Sequence, residues 1–217
     1  MSPKAVVLVA LVAALSACER PAAPEHPEAS KAPSESPSAP PKARALADAC
    51  EKGEATSCLA LGVAYSDAAL GLPHDETRAA DFYERACDLG DIRGCNNLAV
   101  MFEKGQGRPV DAKRAFQLYT KNCDAKHALA CKNVGRCHRD GLGVPADAAK
   151  AKAAFQKAVE LSKAECARGV AEGCSNIGFT YRAGNEGLPK DETRAVEYLE
   201  RACKMGYRAV CSRVHPR

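Results

Sequence analysis

The sequence predicts an all-α fold, an α/α solenoid of disulfide-stapled helical hairpins. Ten of the twelve cysteines form five pairs, each with seven residues between its members, and the pairs recur every 36 to 43 residues. An aspartate placed two residues after a proline recurs in step with the cysteines. A fixed period in this range is typical of stacked helical hairpins. The cysteine pairs are Cys50 with Cys58, Cys87 with Cys95, Cys123 with Cys131, Cys166 with Cys174, and Cys203 with Cys211.

The recurrent aspartate marks the start of a helix, which we name the B helix. Proline ends the preceding segment, and the aspartate side chain can cap the free N–H groups of the new helix. Small and aromatic residues then follow at helical spacing and predict an inward face. Three residues after the first cysteine of each pair stands a glycine, which suits the left-handed turn that ends a helix, except in one repeat, where Lys126 holds that place. The aspartates are Asp75, Asp111, Asp147 and Asp191, and the glycines are Gly53, Gly90, Gly169 and Gly206.

The A helix begins just beyond that turn and carries the second cysteine of the pair about one turn in. Each pair therefore straddles a tight turn between antiparallel helices, which brings the two sulfur atoms together. A structural zinc site is the alternative, but such sites usually place cysteines two to four residues apart. The sequence therefore favours five disulfides and predicts no metal and no other cofactor.

The start of the chain predicts export. Residues 1–17 place one positive charge ahead of an apolar stretch too short to span a bilayer, as in a signal peptide. The end of this stretch, Leu15-Ser16-Ala17-Cys18, resembles the bacterial lipobox, which implies that Cys18 becomes the lipidated first residue of the mature chain. A plain signal peptide cut after Ala17 is the alternative. Glu19 stands where inner-membrane lipoproteins tend to have aspartate, so we expect an outer-membrane lipoprotein that faces the periplasm rather than the cell surface.

The remaining chain divides into a tether and the solenoid. Residues 18–42 are rich in proline and alanine and have almost nothing large and apolar to bury, which predicts a disordered tether. The solenoid is expected over 43–217, with half-repeats at both ends and a first helix from Ala43 to Lys52. The four full repeats are expected at about 54–90, 91–126, 127–169 and 170–206.

Two features depart from the period. Seven extra residues lie between Ala158 and Cys166, which predicts a B helix lengthened by almost two turns. Cys137 has no partner at the repeat spacing and is expected to be a half-buried free thiol. We therefore expect a monomer, with a dimer linked through Cys137 as the alternative.

Two segments resemble the Sel1-like repeats, relatives of the tetratricopeptide repeats, and within them the Helicobacter cysteine-rich proteins with one disulfide per repeat. They are GCNNLAVMFEKGQG from Gly94 to Gly107, followed by Asp111 and Ala115, and CSNIGFTY from Cys174 to Tyr181. The resemblance covers 43–217 and departs from the family at the insertion and at Ala69-Leu70-Gly71, where a G-x-G turn is expected. It implies a scaffold that binds a partner protein or peptide on a concave face formed by the A helices.

Asn97, Asn133 and Asn176 are the candidate partner-binding residues, because each lies two positions after the second cysteine of its pair. Amides in such a row can hydrogen-bond the backbone of an extended ligand, and ordinary solvated positions are the alternative. The formal charge of +4 is spread among both signs without a basic block, so no nucleic-acid partner is expected.

Two other functions stay open. Members of the cysteine-rich family have been described as penicillin-binding or β-lactamase-like, which implies a hydrolase. No serine here has a lysine three residues later, as a serine β-lactamase requires, and the histidines lie singly, so no catalytic residue and no enzyme activity is predicted. A structural or assembly factor of the cell envelope, with a stable partner, is the other alternative. The histidines are His26, His74, His127, His138 and His215.

Overall fold

The computed structural model describes residues 39–184 and 189–214, and every regular element in those ranges is helical. The B helices are α1, α3, α5, α7 and α9, and the A helices are α2, α4, α6, α8 and α10. Each helix packs chiefly against the helix before it and the helix after it, which is the arrangement of a solenoid. The bounds are α1 Pro41–Glu51, α2 Ala55–Ser66, α3 Glu76–Asp88, α4 Ile92–Lys104, α5 Ala112–Asp124, α6 Ala128–Asp140, α7 Ala148–Ala167, α8 Ala171–Ala183, α9 Glu192–Lys204, a 3-10 turn Arg208–Val210 and α10 Cys211–Val214.

Five disulfides join the B helices to the A helices that follow them, so the disulfide-stapled all-α fold class is confirmed. The paired Cα atoms lie 4.4 to 5.1 Å apart. Both cysteines of the first four bridges are buried, whereas both cysteines of the last are only half-buried. Solvent therefore reaches the last bridge more readily than the other four. In chain order, the bridges join Cys50 to Cys58, Cys87 to Cys95, Cys123 to Cys131, Cys166 to Cys174, and Cys203 to Cys211.

The second cysteine of each buried pair also meets the end of the preceding B helix through its sulfur. Cys58 Sγ lies 3.7 Å from the carbonyl oxygen of Cys50, and Cys131 Sγ lies 3.4 Å from the carbonyl oxygen of Cys123. Cys58 and Cys131 are themselves fully buried. Each staple therefore sits inside the turn that it closes, against the last backbone carbonyl groups of the B helix.

The capping and turn residues behave as the sequence predicts. Each of the four aspartates accepts a hydrogen bond from the backbone N–H three residues later, at 2.9 to 3.0 Å. The turn position after each B helix has φ between 64° and 93°, including the non-glycine Lys126. These local signals fix where each B helix begins and where the chain reverses into the next A helix.

The connection between α4 and α5 locks one repeat to the one before it. Gln106 Nε2 donates to Glu76 Oε1 at 2.9 Å, and the Arg108 guanidinium pairs with Asp81 and Glu84 on α3. Gly107 lies so close to α3 that a Cβ atom there would be 2.0 Å from the Glu76 carbonyl oxygen. The loop thus seals the junction between consecutive repeats.

The seven-residue insertion lengthens α7 to 20 residues, against 13 in α3, α5 and α9, and so the predicted lengthened helix is confirmed. Its added turns pack against neighbours rather than standing clear, since Val159, Ser162 and Cys166 are buried. The Glu165 carboxylate lies against the backbone N–H of Ala128 at the start of α6, where the N-cap residue gives no side-chain cap. Burial, and after it the charge of Glu172, raises the pKa of Glu165.

The first helix starts at Pro41, two residues earlier than expected, because proline fits the first turn of a helix, where its missing N–H is not needed. The signal peptide at 1–17, the lipidation site Cys18 and most of the tether lie outside the described residues. Within the ranges that the structure covers, no helix is both long and apolar enough to cross a membrane.

Candidate functional site

The candidate site is a face of the A helices, which we name the A-helix face. It consists of the residues two and five positions after the second cysteine of each of the first four pairs, which are neighbours on one side of a helix. Val63 is 38% exposed, and the other members on α4, α6 and α8 are half-buried. The members are Ala60, Val63, Asn97, Val100, Asn133, Arg136, Asn176 and Phe179.

The three predicted asparagines lie at matching places on α4, α6 and α8, but their contacts differ. The Asn97 side chain is hydrogen-bonded to the Tyr83 hydroxyl, and Asn133 Nδ2 donates to Asn96 Oδ1 at 3.3 Å. Asn176 accepts a hydrogen bond from the Thr180 hydroxyl through its backbone carbonyl, at 2.9 Å. Two of the three amides are therefore already engaged within the fold, and we expect Asn176 to be the least constrained.

An ion pair that the sequence analysis missed bridges two repeats at this face. Arg136 donates from Nη1 to Glu103 Oε1 at 2.7 Å and from Nη2 to Glu103 Oε2 at 2.5 Å. The Tyr119 hydroxyl donates to Glu103 Oε2 at 3.1 Å. The Arg136 hydrogen bonds hold the pKa of Glu103 below its ordinary value, and burial raises the pKa of Tyr119. Glu103 and Arg136 do not share a repeat position, so periodicity gave no signal for the pair.

We expect Glu103→Gln to lower the free energy of unfolding at pH 7 by about 1 kcal/mol, because it removes the charge from a two-point pair that is still partly open to solvent. A carboxyl with a depressed folded-state pKa stabilises the fold fully above its ordinary value of 4.5 and loses that contribution as the pH falls through the folded value. The difference in the free energy of unfolding between the wild type and Glu103→Gln should therefore shrink as the pH falls from 5 to 3, the range of about two pH units in which a carboxyl group titrates.

Urea unfolding of both proteins at several pH values measures this difference. Glu160→Gln is the matched control, because Glu160 pairs with Lys163 at 3.1 Å but is 73% exposed. We expect the control to change little at any pH. A constant difference between wild type and Glu103→Gln down to pH 3 would contradict the role given to the ionised carboxylate.

Cys137 is the free cysteine within the described residues, and it is more buried than the sequence predicts, with only 2% of its surface exposed. Burial raises the pKa of its thiol to about 11. A thiol reacts as the thiolate, so a buried thiol with a raised pKa is a poor nucleophile. The burial favours the expected free thiol over an intermolecular bridge.

We expect iodoacetamide at pH 8 to label Cys137 at least about 100-fold more slowly in the native oxidised protein than in denaturant. Mass spectrometry of the peptide that contains Cys137 measures the labelled fraction at each time. Rapid native labelling, or a Cys137 dimer on a non-reducing gel, would sink the assignment of a buried monomeric thiol.

The remaining metal-ligating side chains and histidines of the described ranges lie apart from one another. Those residues hold no group of three or more histidine, cysteine, aspartate or glutamate side chains placed to bind a metal ion. His74 Nδ1 is 2.8 Å from the Ser66 carbonyl oxygen, and His138 packs edge-on against Phe116. His127 precedes the first residue of α6 but makes no side-chain cap there. These histidines thus have separate structural surroundings, while His26 and His215 lie outside the described residues.

The stapled hairpins and the A-helix face define a helical-repeat protein of the scaffold type. A model of the Sel1 repeat matches four stretches, residues 55–91, 92–127, 128–163 and 171–207, which together make up more than half of the chain. The protein belongs to the Sel1 repeat family, as the sequence predicted. Sel1 repeat proteins are generally non-catalytic scaffolds that mediate protein–protein interactions. The five disulfides indicate an oxidising, exported environment.

Known proteins resemble parts of the chain. Cytochrome c oxidase assembly factor 7A of Xenopus laevis is 41% identical over 59 residues, which are 27% of this chain and 26% of that protein. The Xenopus tropicalis assembly factor 7 matches to the same extent, so the match spans about a quarter of the curated relatives.

Two solved structures also resemble parts of the chain, and the first of them has the same kind of fold. The protective antigen c5321 of uropathogenic Escherichia coli is 20% identical, with a TM-score of 0.50, over 80% of this chain and 44% of that one. Cysteine-rich protein B of Helicobacter pylori is 27% identical, with a TM-score of 0.39, over 64% of this chain and 94% of that one.

Proposed function

We propose that this protein is a cell-envelope scaffold, tethered to the outer membrane through lipidated Cys18 and residues 18–42, which binds a partner protein or peptide on its A-helix face. The observation that supports the binding role most directly is the combination of partly exposed apolar and amide side chains in two adjacent rows of one face. Apolar side chains contribute affinity, and amides fix the backbone of an extended ligand. The fold itself performs no catalysis in this proposal.

The apolar row is what gives the face its capacity for binding. Val63, Val100 and Phe179 lie on α2, α4 and α8, one helical turn from the neighbouring amide row. Arg136 interrupts this apolar row on α6, where Glu103 fixes its guanidinium. A ligand that crosses all four A helices would therefore contact apolar side chains at both ends and the fixed guanidinium of Arg136 between them.

Site-specific photo-crosslinking in intact cells tests the binding face. A photoreactive amino acid at Val100 should give a defined adduct with one envelope protein, whereas the same residue at Gln117, an exposed position on α5, should not. Asn176→Ala added to the Val100 probe should weaken that adduct, because the Asn176 amide is the least constrained of the three. Equal adducts from Val100 and Gln117 would exclude the A-helix face as the binding site.

A stable role in envelope assembly is the second candidate. The likeness to cytochrome c oxidase assembly factors, 41% identity over 59 residues, supports it. An assembly factor would stay bound through purification, whereas a transient scaffold would release its partner. Gel filtration of the uncrosslinked protein from envelope extracts separates the two: co-elution with the crosslinked partner favours assembly, and a free monomer favours transient binding.

A further inference from the structure

A cleft of about 340 Å³ lies between the last turn of α8 and α9, and it shares no lining residue with the A-helix face. Tyr181 and Tyr198 line it, and their rings stack with centroids 5.8 Å apart and planes 15° apart. Arg194, Glu197 and Arg201 form its walls. The volume suits one or two residues of a peptide rather than a packed helix.

The equivalent residues of the first repeat leave no open ring. There the ring of Phe82 stacks on Tyr65 at 5.8 Å and is fully buried, and the Arg78 guanidinium lies 4.8 Å from the Tyr65 ring centroid. On α9, Tyr198 takes the place of Phe82 and is only half-buried. Tyr181 is itself only 5% exposed, and the Arg194 guanidinium lies 5.6 Å from its ring centroid, as that of Arg78 lies over Tyr65. The motif on α9 therefore differs from the first repeat in the ring of Tyr198, which stays partly open to a ligand.

Contacts within the fold hold both arginines of the cleft. Arg201 Nη2 donates to the Cys166 carbonyl oxygen at 3.0 Å. Arg194 Nη1 donates to the Tyr181 hydroxyl at 3.4 Å, and its Nε lies 3.3 Å from Asp191 Oδ2. Fixed guanidinium groups lose little side-chain entropy when they bind a carboxylate.

Glu197 lies between these arginines in the sequence of α9, lines the cleft with them, and interacts through its charge with Arg194. The cleft thus offers a cation for a carboxylate, an acceptor for an N–H group and aromatic surface for an apolar side chain. The C-terminal residue of a polypeptide presents all three complementary groups within one residue. An internal aspartate or glutamate lacks the apolar side chain, and a free aromatic acid lacks the amide N–H.

We propose that the cleft between α8 and α9 binds the C-terminal residue of a partner polypeptide, when that residue is aromatic and its carboxylate is free. The carboxylate pairs with Arg201, the side chain packs against the partly exposed ring of Tyr198, and the amide N–H faces Glu197. This site is separate from the A-helix face, so it adds a second point of recognition to the scaffold.

Calorimetric titration of the full-length oxidised protein tests the proposal, with acetyl-Gly-Ala-Phe as the probe and its C-terminal amide as the matched control peptide. We expect the free carboxylate to bind with a Kd of about 1 mM or below and the amide to bind at least about 10-fold more weakly. Arg201→Gln should weaken binding of the free carboxylate by about 10-fold. Tyr198→Leu, which reproduces the residue that α5 has at the same position, should weaken it several-fold.

Arg114→Gln is the control variant, because Arg114 also lies over an aromatic ring, that of Phe102 at 4.4 Å, but outside the cleft. It should bind the probe as the wild type does. A melting curve confirms that each variant is folded. Equal binding of the acid and the amide, unchanged binding in folded Arg201→Gln, or no binding at about 5 mM probe would each overturn the proposal, and none of these results bears on crosslinking at Val100.

Discussion

Reduction of all five disulfides is expected to unfold the solenoid at room temperature. Each bridge closes a ring between cysteines eight residues apart, and the loop-entropy relation gives about 2.6 kcal/mol for a ring of that size. Five such contributions exceed about 10 kcal/mol, which is comparable with the whole free energy of unfolding of a typical domain, about 5 to 15 kcal/mol. Without the bridges, the remaining stabilising interactions no longer offset the conformational entropy that the chain loses on folding.

Far-ultraviolet circular dichroism during titration with a reductant measures this effect. We expect the Cys203–Cys211 bridge to open first, because its cysteines are half-buried while those of the other bridges are buried. Cys203→Ser with Cys211→Ser should therefore cost less than Cys87→Ser with Cys95→Ser. A fully reduced protein that keeps its helical signal and a cooperative melt would show that helix packing alone holds the fold.

Gly107→Ala is expected to lower the free energy of unfolding by about 3 to 4 kcal/mol. Gly107 has φ +62°, where an alanine costs about 1 to 2 kcal/mol. Its Cβ would also lie 2.0 Å from the carbonyl oxygen and 2.3 Å from the carbonyl carbon of Glu76, both of them backbone atoms. The loop must move away, and Arg108 then loses its contacts with Asp81 and Glu84.

Gly169→Ala separates the two parts of that cost. Gly169 has φ +87°, but a Cβ there meets no atom within 4 Å. Its replacement should cost only the backbone part, about 1 to 2 kcal/mol. Urea unfolding of both variants measures the difference, and equal losses would mean that the close approach of the α4–α5 loop to α3 contributes nothing.

The repeat pattern was sufficient to predict the fold because its signals are local. A capping aspartate such as Asp75, a left-handed glycine such as Gly90 and the cysteines on either side of it each act within one turn of the chain. Even the insertion in α7 could be read from its length alone. The pattern does not predict the first residue of α1, because Pro40 and Pro41 match the composition of the tether although proline is favoured at a helix start.

The candidate sites were harder to predict because they depend on contacts between repeats. The position of Asn97 could be predicted from its spacing after Cys95, but not its hydrogen bond with Tyr83. Glu103 and Arg136 lie 33 residues apart and meet only because consecutive A helices are neighbours. Tyr198 at the cleft on α9 is half-buried, whereas the equivalent Phe82 on α3 is fully buried. The sequence of one repeat does not show this difference, because the exposure of a side chain depends on the packing of neighbouring repeats.

The staples also set how the solenoid responds to mechanical force. Tension along the chain can unwind helices and pull repeats apart, but it cannot extend the segment inside a disulfide ring. Each disulfide ring shortens the length to which the chain can be extended by eight residues, or about 27 Å at about 3.4 Å per extended residue. The turn between each B helix and the following A helix therefore stays closed under load. The stretched chain keeps five disulfide-closed turns, from which the helical hairpins can refold.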